Sequence, residues 1–178
     1  MTSSDETLLD PEAVQRTGGA VGALLEGSDD GRGLKVAILG ARFNGGITIR
    51  LLEGCLAGLT ERGVDAADIT IAWVPGAFEL PIAAQAFATA SEGYDAVVAL
   101  GAVIRGETGH YEFVAGECAR GLQDVSLETG VPVVFGVLTC ETVAQALDRS
   151  ASDESNKGRE SAGTAIEMAR LLADRRLA

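Results

Sequence analysis

The chain has 178 residues, 47% of them hydrophobic, and a formal net charge of -12 at pH 7. This length and apolar fraction suit one domain with a sizeable core and exclude a disordered chain, and no stretch reaches the roughly eighteen consecutive apolar residues that cross a bilayer. The acidic balance excludes a general affinity for nucleic acid or anionic membranes, which depends on Lys and Arg neutralising phosphates, so an anionic ligand must find a local positive pocket.

Residues 1–33 hold Ser, Asp, Glu, Gly and Thr in loose order, with a weak helical stretch at 11–15 and a Gly/Ala/Leu stretch at 18–25. They are expected to be mostly a flexible N-terminal tail, with residues 34–178 forming a single domain. Residues 1–7 lack a basic region followed by an apolar run, so no secretory signal is expected and a cytoplasmic location follows. From Leu34 onward, apolar runs rich in Val, Ile and Ala alternate with segments of helical period, the pattern of βα units and a parallel sheet.

Residues 35–39 are the first predicted strand and 46–62 the helix after it, with Leu52, Cys55, Leu56 and Leu59 on one face and Gly63 as its stop. Residues 69–74 are the second strand, and 75–81 turn into a helix reaching about residue 91, with Pro81 tolerated in its first turn. The third strand is 96–100, and a helix over 111–129 carries Val114, Cys118, Leu122 and Val125 inward. Residues 131–138 are the fourth strand, 141–149 a short helix, 150–155 a polar loop, and 157–175 a long amphipathic helix with Ile166, Ala169, Leu172 and Ala173 inward.

In an open parallel sheet, ligands bind outside the carboxyl ends of the strands. The unusual residues fall there: Phe43 and Asn44 after the first strand, Ala77, Phe78 and Glu79 after the second, Gly101 to His110 after the third, and Thr139 closing the fourth. The third segment leaves a hydrophobic strand, passes through a glycine-rich turn and reaches the only histidine of the chain. Backbone N–H groups of Gly106, Glu107, Thr108 and Gly109 can cradle a phosphate where such a turn opens a helix, and imidazole is the side chain that titrates nearest neutral pH. Each of these residues also has a plain structural use. Phe43 and Phe78 are either core aromatics or the wall of a site for a planar ligand, although their Gly, Asn and Glu neighbours favour the wall. The histidine is either structural or a proton-transfer group, and its place at a strand-turn-helix junction favours the second. Arg149 is one of twelve arginines, and composition alone does not single it out.

Cys55, Cys118 and Cys140 are an odd number without metal-ligand spacing, set among small or apolar residues, and are expected to be reduced structural thiols. One histidine and scattered cysteines cannot supply a zinc shell. No Gly-Lys-Ser/Thr closes the Gly101 to Gly106 turn and no Gly-x-Gly-x-x-Gly occurs, so neither a nucleotide-hydrolysing P-loop nor a dinucleotide site is expected.

Taken together, Ala41-Arg-Phe-Asn44, Val74-Pro-Gly-Ala-Phe-Glu-Leu-Pro81, Gly101-Ala-Val-Ile-Arg-Gly-Glu-Thr-Gly-His110, Phe135-Gly-Val-Leu-Thr139, Gln145-Ala-Leu-Asp-Arg149 and Asn156-Lys-Gly158 closely resemble the lumazine synthase family of riboflavin biosynthesis, in order and in spacing, from about residue 34 to 172. The resemblance implies a three-layer α/β/α sandwich around a four-stranded parallel sheet of flavodoxin-like order. It implies condensation of two small-molecule substrates, 5-amino-6-(D-ribitylamino)uracil and 3,4-dihydroxy-2-butanone 4-phosphate, to 6,7-dimethyl-8-ribityllumazine, with phosphate and water released and no cofactor or metal. By the same resemblance, Phe43 would stack on the pyrimidine, Ala77, Phe78 and Glu79 would hold the ribityl chain, and Ala102, Val103 and Ile104 the uracil edge. Glu107 and Thr108 would bind the phosphate with charge from Arg149, and His110 would move the proton. Phe135, Arg149 and Lys157 would come from a neighbouring subunit, because family sites lie between chains of a homo-oligomeric pentamer. The short 150–155 linker resembles members that build icosahedral shells. Two positions depart from the family pattern: Gly109 stands where Pro is frequent, loosening the turn before His110, and Ala77 where Ser is frequent. The archaeal-type riboflavin synthase shares the fold with a different motif set, and a non-catalytic scaffold would not need the Phe43, Glu79, Thr108, His110 and Arg149 constellation.

Overall fold

A computed structural model describes residues 9–176; the first eight residues of the expected tail and the last two of the expected domain lie outside the described residues. Four strands, β1 (Val36–Ala41), β2 (Ile69–Val74), β3 (Ala96–Ile104) and β4 (Val133–Cys140), form one parallel sheet in the order β2-β1-β3-β4. Strand number, parallel pairing and flavodoxin-like order agree with the expectation. Six helices accompany them among the described residues: α1 (Pro11–Gly18), α2 (Gly45–Glu61), α3 (Leu80–Ala88), α4 (His110–Thr129), α5 (Val143–Arg149) and α6 (Lys157–Arg176).

The central strands β1 and β3 are apolar on both faces because both are covered, as a parallel sheet requires. Val36 and Ile38 of β1 and Ala96, Val98 and Leu100 of β3 pack with Leu51, Cys55, Leu59 of α2 and Ala162, Ala165, Ile166 of α6. Their neighbours Ala37, Leu39, Val97 and Ala99 pack on the other face with Leu80 and Ala84 of α3 and Cys118, Leu122 and Val125 of α4. The period-two alternation of each strand thus builds two cores, and the outer strands β2 and β4 leave Ile71, Trp73 and Phe135 exposed.

The structure moves several boundaries. β3 runs past the predicted end at Leu100 to Ile104, because β4 keeps pairing with it up to Cys140 opposite Ile104. Gly101 is therefore a strand residue and not the start of a turn: a Cβ there would stand 3.1 Å from Ala41 Cβ, so glycine allows β1 and β3 to meet closely. β4 starts at Val133, after Pro132, which has no N–H to give to a ladder. Residues Ala77–Glu79 form a single 3-10 turn and α3 begins only at Leu80. α5 begins at Val143, where Thr142 and Gln145 make a capping box.

Two features fix α6. Asn156 is 2% exposed; its amide donates to the carbonyls of Arg50 (3.2 Å) and Ala151 (2.8 Å), and its Oδ1 accepts from the backbone of Gly158 (2.8 Å) and Arg159 (3.3 Å). Gly158 lies against α2 so closely that a Cβ would be 1.9 Å from the Leu51 carbonyl oxygen. In the segment before β1, Arg62 holds Asp29 at 2.6 Å and Arg170 donates to the carbonyls of Asp30 and Arg32, so residues 29–32 lie across α2 and α6.

Candidate active site

The carboxyl ends of β1, β2 and β3 open into a mostly apolar cavity of about 470 Å³. Beyond β1 the chain stays beside β2, with Arg42 N–H donating to Val74 O (2.9 Å) and Phe43 N–H to Pro75 O (3.0 Å). The next residue, Asn44, has φ 58°, the only non-glycine left-handed backbone among the described residues, and its amide donates to Ala102 O at 2.8 Å. The reversal this forces throws Phe43 outward at the rim, where it is 74% exposed, and starts α2.

From the β2 side, Gly76, Ala77, Phe78 and Glu79 line the cavity through the 3-10 turn, with Ala77 buried and Phe78 exposed. From β3 come Ala102, Val103 and Ile104, followed by Gly106, Thr108 and His110. His110 is the first residue of α4, and its N–H donates to Thr108 Oγ1 at 3.4 Å. An anion at this turn would face the partial positive charge of a 20-residue helix. Tyr111 and Val114 complete the lining on the α4 side.

Nine of the sequence-predicted residues thus share one cavity: Phe43, Ala77, Phe78, Glu79, Ala102, Val103, Ile104, Thr108 and His110. Glu107 belongs to the same turn but does not line it. Nor do Phe135, Arg149 and Lys157. Phe135 and Lys157 border a separate groove between β4 and α6, where Lys157 Nζ pairs with Glu160 at 2.6 Å. Arg149 ends α5, where its guanidinium donates to the Gln145 carbonyl at 3.1 Å. Among the described residues the lining contains no Lys or Arg, although a phosphate site calls for one.

Asn44 and Tyr111 also line the cavity, and the sequence pattern assigns neither of them a contact there. Asn is among the non-glycine residues that best tolerate left-handed backbone, and that is the signal in the sequence for the first. For Tyr111 the signal was its position beside His110 at the helix start.

The three cysteines are buried and unpaired; burial pushes the thiols of Cys55 and Cys118 up to about 12 and that of Cys140 upward. Among the described residues, no group of three or more His, Cys, Asp or Glu is placed to hold a metal, and no helix is long and apolar enough to cross a membrane.

The sequence model of 6,7-dimethyl-8-ribityllumazine synthase matches residues 33–173, which covers the whole sheet, the cavity and most of α6. The chain belongs to the 6,7-dimethyl-8-ribityllumazine synthase family.

Proposed function

We propose that this chain is a transferase that condenses 5-amino-6-(D-ribitylamino)uracil with 3,4-dihydroxy-2-butanone 4-phosphate to 6,7-dimethyl-8-ribityllumazine, releasing phosphate and water. The observation that carries this is the meeting of Phe43, Ala77 to Glu79, Ala102 to Ile104, Thr108 and His110 around one cavity in a member of that family. Phe43 stacks on the pyrimidine, the 77–79 turn holds the ribityl chain, and the end of β3 at Ala102 to Ile104, which lines the cavity, reads the uracil. Thr108 and the amides around Glu107 receive the phosphate, and His110 moves protons during amine attack, phosphate loss and ring closure.

Holding two substrates in register is the larger contribution, since orientation supplies roughly 7 to 11 kcal/mol and general acid-base help about 100- to 10,000-fold. The phosphate subsite needs a cation that the described residues of its own chain do not place in the lining. Arg149, with Phe135 and Lys157, completes it from a neighbouring copy, so the working unit is a homo-oligomer. The exposed Phe78, Ile82 and Phe113 near the cavity suit such a contact.

Mixing the two substrates with the protein and following lumazine fluorescence, alongside mass by light scattering, tests both statements. Lumazine formed well above the uncatalysed rate by an oligomer is the expected result. No lumazine above that rate, or full activity in a monomer, overturns the corresponding part.

A further inference from the structure

The turn that would receive the phosphate carries little structure of its own. Gly106 and Gly109 give it backbone freedom, nothing lies within 4 Å of where a Gly106 Cβ would be, and the His110 N–H to Thr108 hydroxyl contact is long at 3.4 Å. What brackets it is Arg105. Its N–H donates to Cys140 O at 2.9 Å, tying it to the end of β4. Its guanidinium donates from Nε to Glu141 at 2.7 Å and from Nη1 to Glu112 in the first turn of α4, and lies 4.1 Å from the centroid of the Tyr111 ring. Glu141 is itself fixed, its N–H donating to Gln145 Oε1 at 2.8 Å within the α5 cap.

We propose that Arg105 is a positioning residue for the reaction: by clasping the end of β3 to the first turn of α4 and the β4–α5 loop, it holds residues 106–109 and His110 in the geometry that phosphate binding and proton transfer require. This rests on the function proposed above. Arg105 is not the phosphate ligand, since two carboxylates already take its charge and it lies outside the cavity lining. Nor is the clasp chiefly a stability device. Its side chains are 36%, 55% and 59% exposed, and exposed ion pairs contribute little to folding. The planar fork is what allows one side chain to meet two carboxylates and a ring at once. The guanidinium holds the Glu112 carboxyl below the usual carboxylate range, so the pair stays charged further into the acid range than a free glutamate would.

The test compares wild type, Arg105→Gln and Arg105→Lys. In R105Q, amide exchange over 106–110 should speed up about tenfold, and KM for the butanone phosphate should rise about tenfold while KM for the aminouracil changes less than about twofold. R105K, which keeps a charge for one carboxylate, should fall between. Inorganic phosphate binding should weaken in the same order. Unchanged exchange and phosphate affinity in R105Q would overturn the clasp, as would a fall in Tm with both KM values shifting together, the pattern of a merely structural residue. Should wild type make no lumazine, the functional assignment fails, while exchange and phosphate binding still decide whether Arg105 orders the turn.

Discussion

Asn44 donates its side-chain amide to the carbonyl of Ala102 across 2.8 Å, beyond the last β1–β3 pair at Gly40 and Leu100. One side chain thus extends the sheet where the backbone of β1 has turned away, and links the rim aromatic Phe43 to the β3 edge. Asn44→Ala should lose the bond and still carry the left-handed φ, costing about 1 to 3 kcal/mol and raising KM for the aminouracil. Asn44→Gly should recover much of the stability but not the KM. A Tm and KM that recover together in the glycine variant would mean that only backbone strain mattered.

His110 opens α4 at the cavity wall. His110→Ala should lower kcat by about 100-fold with measurable turnover left, because substrate alignment survives the substitution. Arg149→Ala should act mainly on KM for the butanone phosphate. Co-assembled from denatured His110→Ala and Arg149→Ala chains, mixed oligomers should regain activity well above the mean of the two variants, since some sites would receive both native groups from different chains. Activity no higher than that mean would place both groups of a site on one chain.

Asn156 makes four hydrogen bonds at the start of α6 while nearly sealed from solvent. Asn156→Ala should cost about 2 to 4 kcal/mol, lowering Tm by roughly 5 to 15 °C, with KM values for the folded fraction little changed. Thermal unfolding together with kinetics separates this from a role in substrate binding.

The carboxyls of Asp30, Glu61 and Glu112 are held below the usual range by hydrogen bonds to Arg32, Arg159 and Arg105. A depressed folded-state pKa adds stability that is present above the unfolded value of about 4 and lost as pH falls through the folded one. Tm should therefore hold near neutrality and decline below about pH 5, and Glu61→Gln should lower it at pH 7 while making the acid decline shallower. The thiols act in the opposite direction: the raised pKa of about 12 for Cys55 and Cys118 gives stability that is complete below the unfolded thiol value and lost as pH rises toward the folded one. Melting curves across both limbs measure these signs.

By itself the sequence determined the alternation of strand and helix, the parallel sheet and the ends of strands where unusual residues gather, because hydrophobic period and glycine placement are local properties of the chain. It also contained the motifs that mark the family. Only the tertiary structure decided that β3 continues to Ile104, since that depends on a partner strand reaching Cys140. The use of Asn44 to hold Ala102, 58 residues away, likewise depends on two loops meeting in space. So does the separation of Phe135, Arg149 and Lys157 from the cavity, because β4 pairs with the edge of β3 away from β1 and α6 packs with α2 on the sheet face opposite α3 and α4. Pattern reports what each segment prefers, and long-range pairing decides which side chains share a surface.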